Sequence, residues 1–527
     1  MSNPSELPPL TEREATQPKR KKPRRKLVVI LVSLLVVALL GGALAALLLW
    51  DDGGTENSSS ESGEPDTSAV LVDKSTADGK AVEKPVARIE VSTVLESYVL
   101  SPNEDGELHL ESCRDLPRNS AVIQSLVEKL TTIEVEKTVT EDPDAAKEFG
   151  FDLPLATVAV TYHDDTEFIF ELCSLPLGSE GYYLKVKDKA PIYLADAEFG
   201  EEVLQEETAF IGTTLFTAPT PKEDDDNGSA VLKEMSLTGS IRDQIITLHM
   251  RDSNDSDEYE NSSYILTEPY ETDVNSETIS TLVAGTSLVA TKAVKAHPTD
   301  EQLAEYGLDK PRSIAKIVTA VHTSTVDDSS NITAESYYDE RTNLVVLGKQ
   351  DDEGNYYALV NALDVVYLLS ADSVPWAEAT YEDFVSSMLY LRKITNIQRF
   401  TCVLNGEEHV FDLTHVPDAD TLDEKLLVKE NGKQYDTADF RTLYQVLMTI
   451  ARTGSAPAEP SGEPLLIIRL EPVSDQHKTL ETAIYKHSAS VYICRTSEGD
   501  TYKVSASRVD YAIEQINRFL AGEVVYK

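Results

Sequence analysis

The chain has 527 residues, 41% of them apolar, and a formal charge of −44 from 47 basic and 91 acidic side chains. That length exceeds one ordinary core, so two to four domains are expected. So acidic a surface repels nucleic acid and anionic headgroups, which argues against a nucleic-acid partner.

The charge is unevenly placed. Met1–Lys26 holds eight basic residues against Glu6, Glu12 and Glu14, a net of +5, which leaves −49 on the rest. Leu27–Trp50 follows, LVVILVSLLVVALLGGALAALLLW, without a single charge. About 20 apolar residues cross a bilayer as a helix, so this run is expected to be a single transmembrane helix. The basic block before it places the N-terminus in the cytoplasm and everything after Trp50 outside. The rival reading is a cleaved signal peptide. Signal cores of only about 7–15 residues weigh against it, and no Cys follows the run to carry a lipid.

Asp51–Glu64 is acidic and rich in Gly and Ser, and reads as a flexible stalk that continues to Lys84. From residue 85 the pattern changes to short β-type runs, helices and turns. Two copies of one phrase organise it, EFGFDLP at Glu148–Pro154 and EYGLDKP at Glu305–Pro311. Ahead of each lies a helix-patterned segment opening at a capping residue, Asn119 or Asn275. Its apolar positions are Val122, Leu126 and Leu130 in one copy and Ile279, Leu282 and Leu288 in the other. A short second helix follows. Asp142 caps it with Pro143 in the first position of one copy, and Thr299 with Gln302 forms a capping box in the other. Gly150 and Gly307 supply the left-handed residue that ends a helix, and Pro154 and Pro311 prevent its continuation. The phrase therefore reads as a structural joint, in which Asp152 and Asp309 hydrogen-bond nearby backbone N–H groups.

Downstream, Gly150 to Gly307 is a shift of 157 and Tyr183 to Tyr357 one of 174, so the second copy carries 17 extra residues (174 − 157). They are expected as a loop in the polar stretch HTSTVDDSSNITAESYYDER. Tyr183 and Tyr193 are ten apart, as are Tyr357 and Tyr367, and as are Tyr492 and Tyr502 in a third, divergent copy. The opening strand pairs are ARIEVSTVLESYVL, DQIITLHM with SSYILTEP, and IQRFTCVLNGEEHVFDL. The expected fold class is α+β: a basic tail 1–26, the anchor 27–50, the stalk 51–84, then three tandem modules of hairpin, helices and β-meander at 85–215, 229–388 and 392–527.

The YGLD-x-P phrase at Tyr306–Pro311, its variant at Phe149–Pro154 and the Tyr-rich strand pairs resemble the bacterial domain-of-unknown-function family 4340, over roughly residues 86–527. The third module lacks the phrase and departs from the pattern. The resemblance implies a membrane-anchored extracytoplasmic protein, a companion of ABC-2-type transporters related to the gliding-motility class. It implies no reaction.

The residues themselves carry no catalytic signature. None of the nine histidines stands in a metal-binding spacing, and His409 and His415 fall on and beyond a strand. Neither a nucleophile elbow nor a phosphate loop occurs. Among 91 acids a carboxylate pair arises readily by chance, so a hydrolase site has no specific support. DSNDSDEYE at Asp252–Glu260 has oxygen ligands at alternate positions but lacks the Gly and Glu of a calcium loop, and SPNEDGE at Ser101–Glu107 reads more simply as a hairpin turn. The tyrosines suit partly buried packing with the hydroxyl outward, a carbohydrate platform being the alternative. Cys113, Cys173, Cys402 and Cys494 show no paired spacing, and Cys173 reads as a small core residue. No catalytic, cofactor or metal residue is assigned. The leading expectation is a non-enzymatic interaction protein serving a transporter; the alternatives are a glycan- or peptide-binding sensor and a cell-wall hydrolase.

Overall fold

A computed structural model describes residues 68–176, 179–251, 263–276, 279–280, 285–326, 332–390, 392–421, 424–474 and 478–527. Among them no helix is long and apolar enough to cross a membrane. The expected anchor at Leu27–Trp50 and the acidic stretch Asp252–Glu260 lie outside the described residues.

The first strand, β1 (Ala69–Asp73), falls where the sequence suggested stalk. Its run AVLVD has the β-branched, alternating character of an edge strand, and folded structure begins earlier than residue 85. A first large sheet is built from β2 (Val86–Thr93), β3 (Ser97–Pro102) and β4 (Leu108–Leu110), then helix α1 (Ser120–Thr131). After α1 come β5 (Thr132–Val135), β6 (Lys137–Thr140) and the meander β7 (Ala156–Tyr162), β8 (Glu167–Ser174), β9 (Tyr182–Val186) and β10 (Ile192–Ala195). The order in space is β4-β3-β2-β7-β8-β9-β10-β6, with antiparallel neighbours. Strand β5 stands apart and pairs with β1.

The second sheet repeats this plan. After β11 (Thr214–Phe216) come β12 (Ser229–Thr238), β13 (Ile246–Met250), β14 (Tyr264–Glu268) and β15 (Thr272–Asp273). Then follow β16 (Leu288–Val289), β17 (Lys292–Ala296), β18 (Ser313–Val326), β19 (Ile332–Gln350), β20 (Tyr356–Val360) and β21 (Val365–Leu369). Their order is β15-β14-β13-β12-β18-β19-β20-β21-β17, while β16 pairs with β11. The third sheet uses β22 (Ile397–Leu404), β23 (Glu407–His415), β24 (Leu426–Glu430) and β25 (Lys433–Tyr435), then helix Thr437–Leu447. It continues with β26 (Arg452–Ser455), β27 (Leu466–Pro472), β28 (Leu480–Lys486), β29 (Val491–Thr496) and β30 (Thr501–Ser505), in the order β25-β24-β23-β22-β27-β28-β29-β30-β26. A helix at Ala506–Ala521 closes it. The class is thus mostly antiparallel β with a few helices. In every sheet the first strand of one meander pairs with the first strand of the other, and one strand, β6, β17 or β26, crosses to the far edge.

Alternation drives these strands: β7, ATVAVTY, buries every second residue, and so does β27. In α1, Asn119 caps the helix through Val122 N–H, and Ile123, Leu126 and Leu130 face the sheet. Val122, expected in that stripe, is half-buried beside it. The opening pair of the second sheet was placed on β13 and β14; β12 precedes them and is the central strand. Where it is described, the 17-residue insertion is strand rather than loop. It prolongs β18 and β19 into a ribbon, paired from Val321↔Tyr338 outward, because TAVHTSTV and ESYYDE carry β-branched and aromatic residues through their polar ones.

One hydrophobic cluster runs through the first and second sheets, from Val86 to Val385, and a second fills the third sheet, from Leu389 to Val525. What joins the sheets is therefore of interest.

Candidate functional site: the joints between the sheets

The two junctions are built alike, residue for residue. After the first sheet, Phe210–Thr213 turns back across the start of α1. Asn119 N–H donates to the Phe210 carbonyl at 2.7 Å and Gly212 N–H to the Pro117 carbonyl at 2.6 Å. The Thr213 carbonyl then accepts from Ala290 N–H at 2.8 Å, and β11 continues onto β16. After the second sheet, Phe384–Ser387 does the same. Asn275 N–H donates to the Phe384 carbonyl at 2.8 Å, Ser386 N–H to the Asp273 carbonyl at 2.9 Å, and Arg452 N–H to the Ser387 carbonyl at 2.8 Å. Each exit segment thus locks its own helix start and then binds the strand that follows the next helix. At the N-terminal end, β1 takes this position on β5. The sequence signal is FIGT and FVSS at the 174-residue shift (384 − 210), two short runs that share only their Phe.

The second junction also buries charge. Arg452 Nη2 donates to Asp500 Oδ2 at 2.7 Å, with both side chains under a tenth exposed. The guanidinium lies 4.1 Å from the centre of the Tyr502 ring. The Tyr381 hydroxyl donates to the same carboxylate oxygen at 3.0 Å; burial pushes that phenol well up, so it stays a donor. Nearby, Arg251 Nη2 donates to Asp273 Oδ1 at 3.2 Å. Burial pushes the Asp273 carboxyl up, the Arg251 charge pulling the other way. Lys478 pairs with Glu271 at 3.3 Å across the junction. Of these groups Arg452, Asp500, Tyr502, Asp273, Lys478 and Glu271 line a cleft of about 60 Å³, room for a few waters rather than a metabolite.

The residues weighed from sequence are not brought together. His409 Nδ1 meets Glu430 at 2.9 Å and His415 Nε2 the Ile397 carbonyl at 2.7 Å; six residues along one strand hold them about 20 Å apart. Among the described residues no group of His, Cys, Asp and Glu could hold a metal. Asn103 Oδ1 accepts from Asp105 and Glu107 N–H, and Glu107 pairs with Lys84 and Arg118, so Ser101–Glu107 is a hairpin turn. Tyr183 pairs with Leu194, and Leu184 with Tyr193, so Tyr183 and Tyr193 face opposite sides of the sheet and form no platform. Tyr367 departs from the hydroxyl-outward expectation: it is fully buried and its hydroxyl has no partner among the described residues. Asp152 and Asp309 depart too. Both are exposed, and neither accepts a hydrogen bond from a described residue; the helix ends close through Phe151 N–H to Ala146 and Leu308 N–H to Leu303 instead. The four cysteines are buried and unpaired. Desolvation pushes the Cys173 thiol up to about 11 and those of Cys402 and Cys494 to about 12, leaving no thiolate at neutral pH.

A family model described as Domain of unknown function (DUF4340) matches residues 109–238 and 265–462, more than half of the chain. The chain belongs to this family. No curated protein and no solved structure matches it. Each matched span of this DUF4340 member holds one capping asparagine, Asn119 or Asn275, and the Phe-led segment that closes on it. The helix-locking half of the joint thus lies within each matched span, while the first joint's strand contact, Thr213 to Ala290, bridges the two. What the arrangement does is mechanical: it fixes one module's helix and the next module's strand with the same four residues.

Proposed function

We propose that this protein is a non-enzymatic, single-pass membrane protein whose extracytoplasmic modules form a docking scaffold for a membrane transport complex of the ABC-2 type. The observation that carries this reading is the repeated joint, by which Phe210–Thr213 and Phe384–Ser387 tie consecutive sheets to one another. The uncharged run Leu27–Trp50 behind its basic block supports anchoring. Anchoring raises the effective concentration of a partner in the membrane plane, so weak contacts suffice. The acidic modules favour basic loops on that partner, an attraction that salt screens. Purification of the full chain from native membranes in mild detergent tests this. An ATPase and permease should co-purify and be lost at high salt; recovery of no membrane protein overturns it.

A second reading, binding of an envelope ligand, is favoured by a groove of about 600 Å³ beside α1, lined by Lys84, Glu107, Arg118, Gln124 and Glu128 among others. That volume suits a small ligand. Its lining has no aromatic residue, so it offers peptide-like polar contacts rather than sugar stacking.

A further inference from the structure

The three sheets carry equivalent hairpins after their first strands, and the tips differ in chemistry. In the third sheet the tip is Asn405–Gly406, both at positive φ, the pair a tight turn favours. In the second it contains Arg242, whose guanidinium donates to the carbonyls of Trp376, Ala377 and Ala379. In the first it is Val94–Leu95. The Thr93 hydroxyl accepts from Leu95 and Glu96 N–H, and Thr93 N–H donates to the Glu96 carbonyl, so the turn is closed by its flanks. Val94 is 61% and Leu95 92% exposed. Neither side chain serves the turn or the core.

A third apolar side chain lies at the same end. A row of paired residues crosses the sheet through Thr93, Ala156, Leu172, Leu184, Tyr193 and Thr138. Val94 and Leu95 lie beyond this row on one side, and so does Leu153, which is 75% exposed. The equivalent of Leu153 in the second copy of the helix-ending phrase is Lys310, so the position itself makes no demand for an apolar residue. Three exposed aliphatic side chains thus lie at one end of the sheet, where Asn405, Gly406 and Lys310 stand in the third tip and the second phrase, and folding does not explain them.

The chain enters at that same end. Ala69 pairs with Val135, and Glu136 N–H donates to the Leu194 carbonyl, which places Ala69 beyond the row on the side of Val94 and Leu153. Residues 51–67 separate Ser68 from Trp50, 17 in all (67 − 51 + 1), rich in Gly and Ser.

We infer that Val94, Leu95 and Leu153 dip into the interface of the bilayer that holds the anchor, so that the first sheet stands on the membrane by its apolar end. This rests on the reading of Leu27–Trp50 as an anchor. Glu96 turns its carboxylate to Glu207 N–H. Asp152, Glu148 and Glu171 also lie at or near this end, so zwitterionic headgroups are preferred over anionic ones.

The full chain carrying Leu95→Cys, labelled with an environment-sensitive dye and reconstituted in phosphatidylcholine vesicles, tests this. The four native thiols are buried, so the label marks residue 95. A nitroxide quencher attached to the lipid chains should cause loss of dye emission. It should not do so for the same dye at Ile245→Cys, the half-exposed residue beside the Arg242 tip. Adding phosphatidylglycerol should weaken the quenching, and salt should restore it. A chain that floats with the vesicles while its residue-95 dye answers only to aqueous iodide keeps the anchor and overturns the contact. A chain that does not float overturns both. Shielding from iodide without lipid-phase quenching, seen in native membranes, would assign the patch to a protein partner and overturn the inference.

Discussion

The ring of Tyr306 lies against that of Tyr357 with centroids 4.6 Å apart, and in the equivalent place Phe149 meets Tyr183 edge-on at 4.8 Å. The aromatic of the helix-ending phrase thus packs on the tyrosine of the meander in both copies. Gly307 follows at φ +72, and a Cβ there would stand 3.1 Å from Lys349 N.

Tyr306→Ala should therefore cost about 1–2 kcal/mol, the pair plus its burial. Gly307→Ala should cost about 1 kcal/mol or slightly more, for the left-handed backbone and the close contact. Asp309→Asn should stay within about 0.5 kcal/mol, since the carboxylate bonds nothing described. Denaturant unfolding of the three variants checks the order. A large effect of Asp309→Asn would show the phrase to be more than a joint.

The buried pair at the second junction gives a sharper case. Arg452→Met leaves Asp500 with Tyr381 as its side-chain donor in a buried setting, and should cost about 3–5 kcal/mol. Arg452→Met with Asp500→Leu removes both charges and should recover most of that loss. A double variant no better than the single one would show that the hydrogen bonds, rather than the stranded charge, dominate.

The phrase, the caps and the three-fold recurrence were legible because they are local: a capping Asn, a T-x-x-Q box and a Gly–x–Asp–x–Pro run each act within a few residues. The joint was not, because its partners Asn119 and Phe210 are 91 apart (210 − 119) and meet through main-chain atoms that carry no residue signature. The ribbon is hidden in the sequence for a related reason. Ser324 and Asp339 look like loop residues, yet strand pairing depends on Val321, His322, Tyr337 and Tyr338 beside them. The pairing of Arg452 with Asp500 was equally hidden, two charges among many until the fold buries them.

His297 links the first two sheets in a way that pH should reveal. Its Nδ1 meets Asp364 at 2.8 Å and its Nε2 lies 3.7 Å from Asp115. The hydrogen bond to Asp364 raises its pKa above the ordinary 6.5. A raised folded value means that the contribution is fully present below about pH 6.5 and is lost as pH rises through the folded pKa. His297→Gln should therefore lower stability at pH 5.5 and change little at pH 8.5. The site is exposed, so the effect is small and best read as a change in slope of melting temperature against pH. An equal loss at both pH values would assign His297 a packing role instead.

Strand β1 offers the last test, of where the folded part begins. It pairs with β5 from Ala69↔Val135 to Asp73↔Thr132, and Leu71 and Val72 pack on the core. Lys74 N–H donates to the Thr131 carbonyl at 2.9 Å, and its ammonium reaches Asp164 at 2.5 Å. Without β1 the N-terminal joint loses its only strand partner seen among the described residues, and the edge of β5 opens to solvent. Two half-buried aliphatic side chains and a short ladder contribute about 2–3 kcal/mol together. A chain beginning at Pro85 should be less stable by that amount than one beginning at Ser68, and the β5 amides of residues 132–135 should exchange faster with solvent. Leu71→Asp in the full chain should reproduce the exchange pattern without truncation. If the chain from Pro85 matches the longer one in both stability and exchange, β1 is an ornament of the stalk and the boundary belongs where the composition alone placed it.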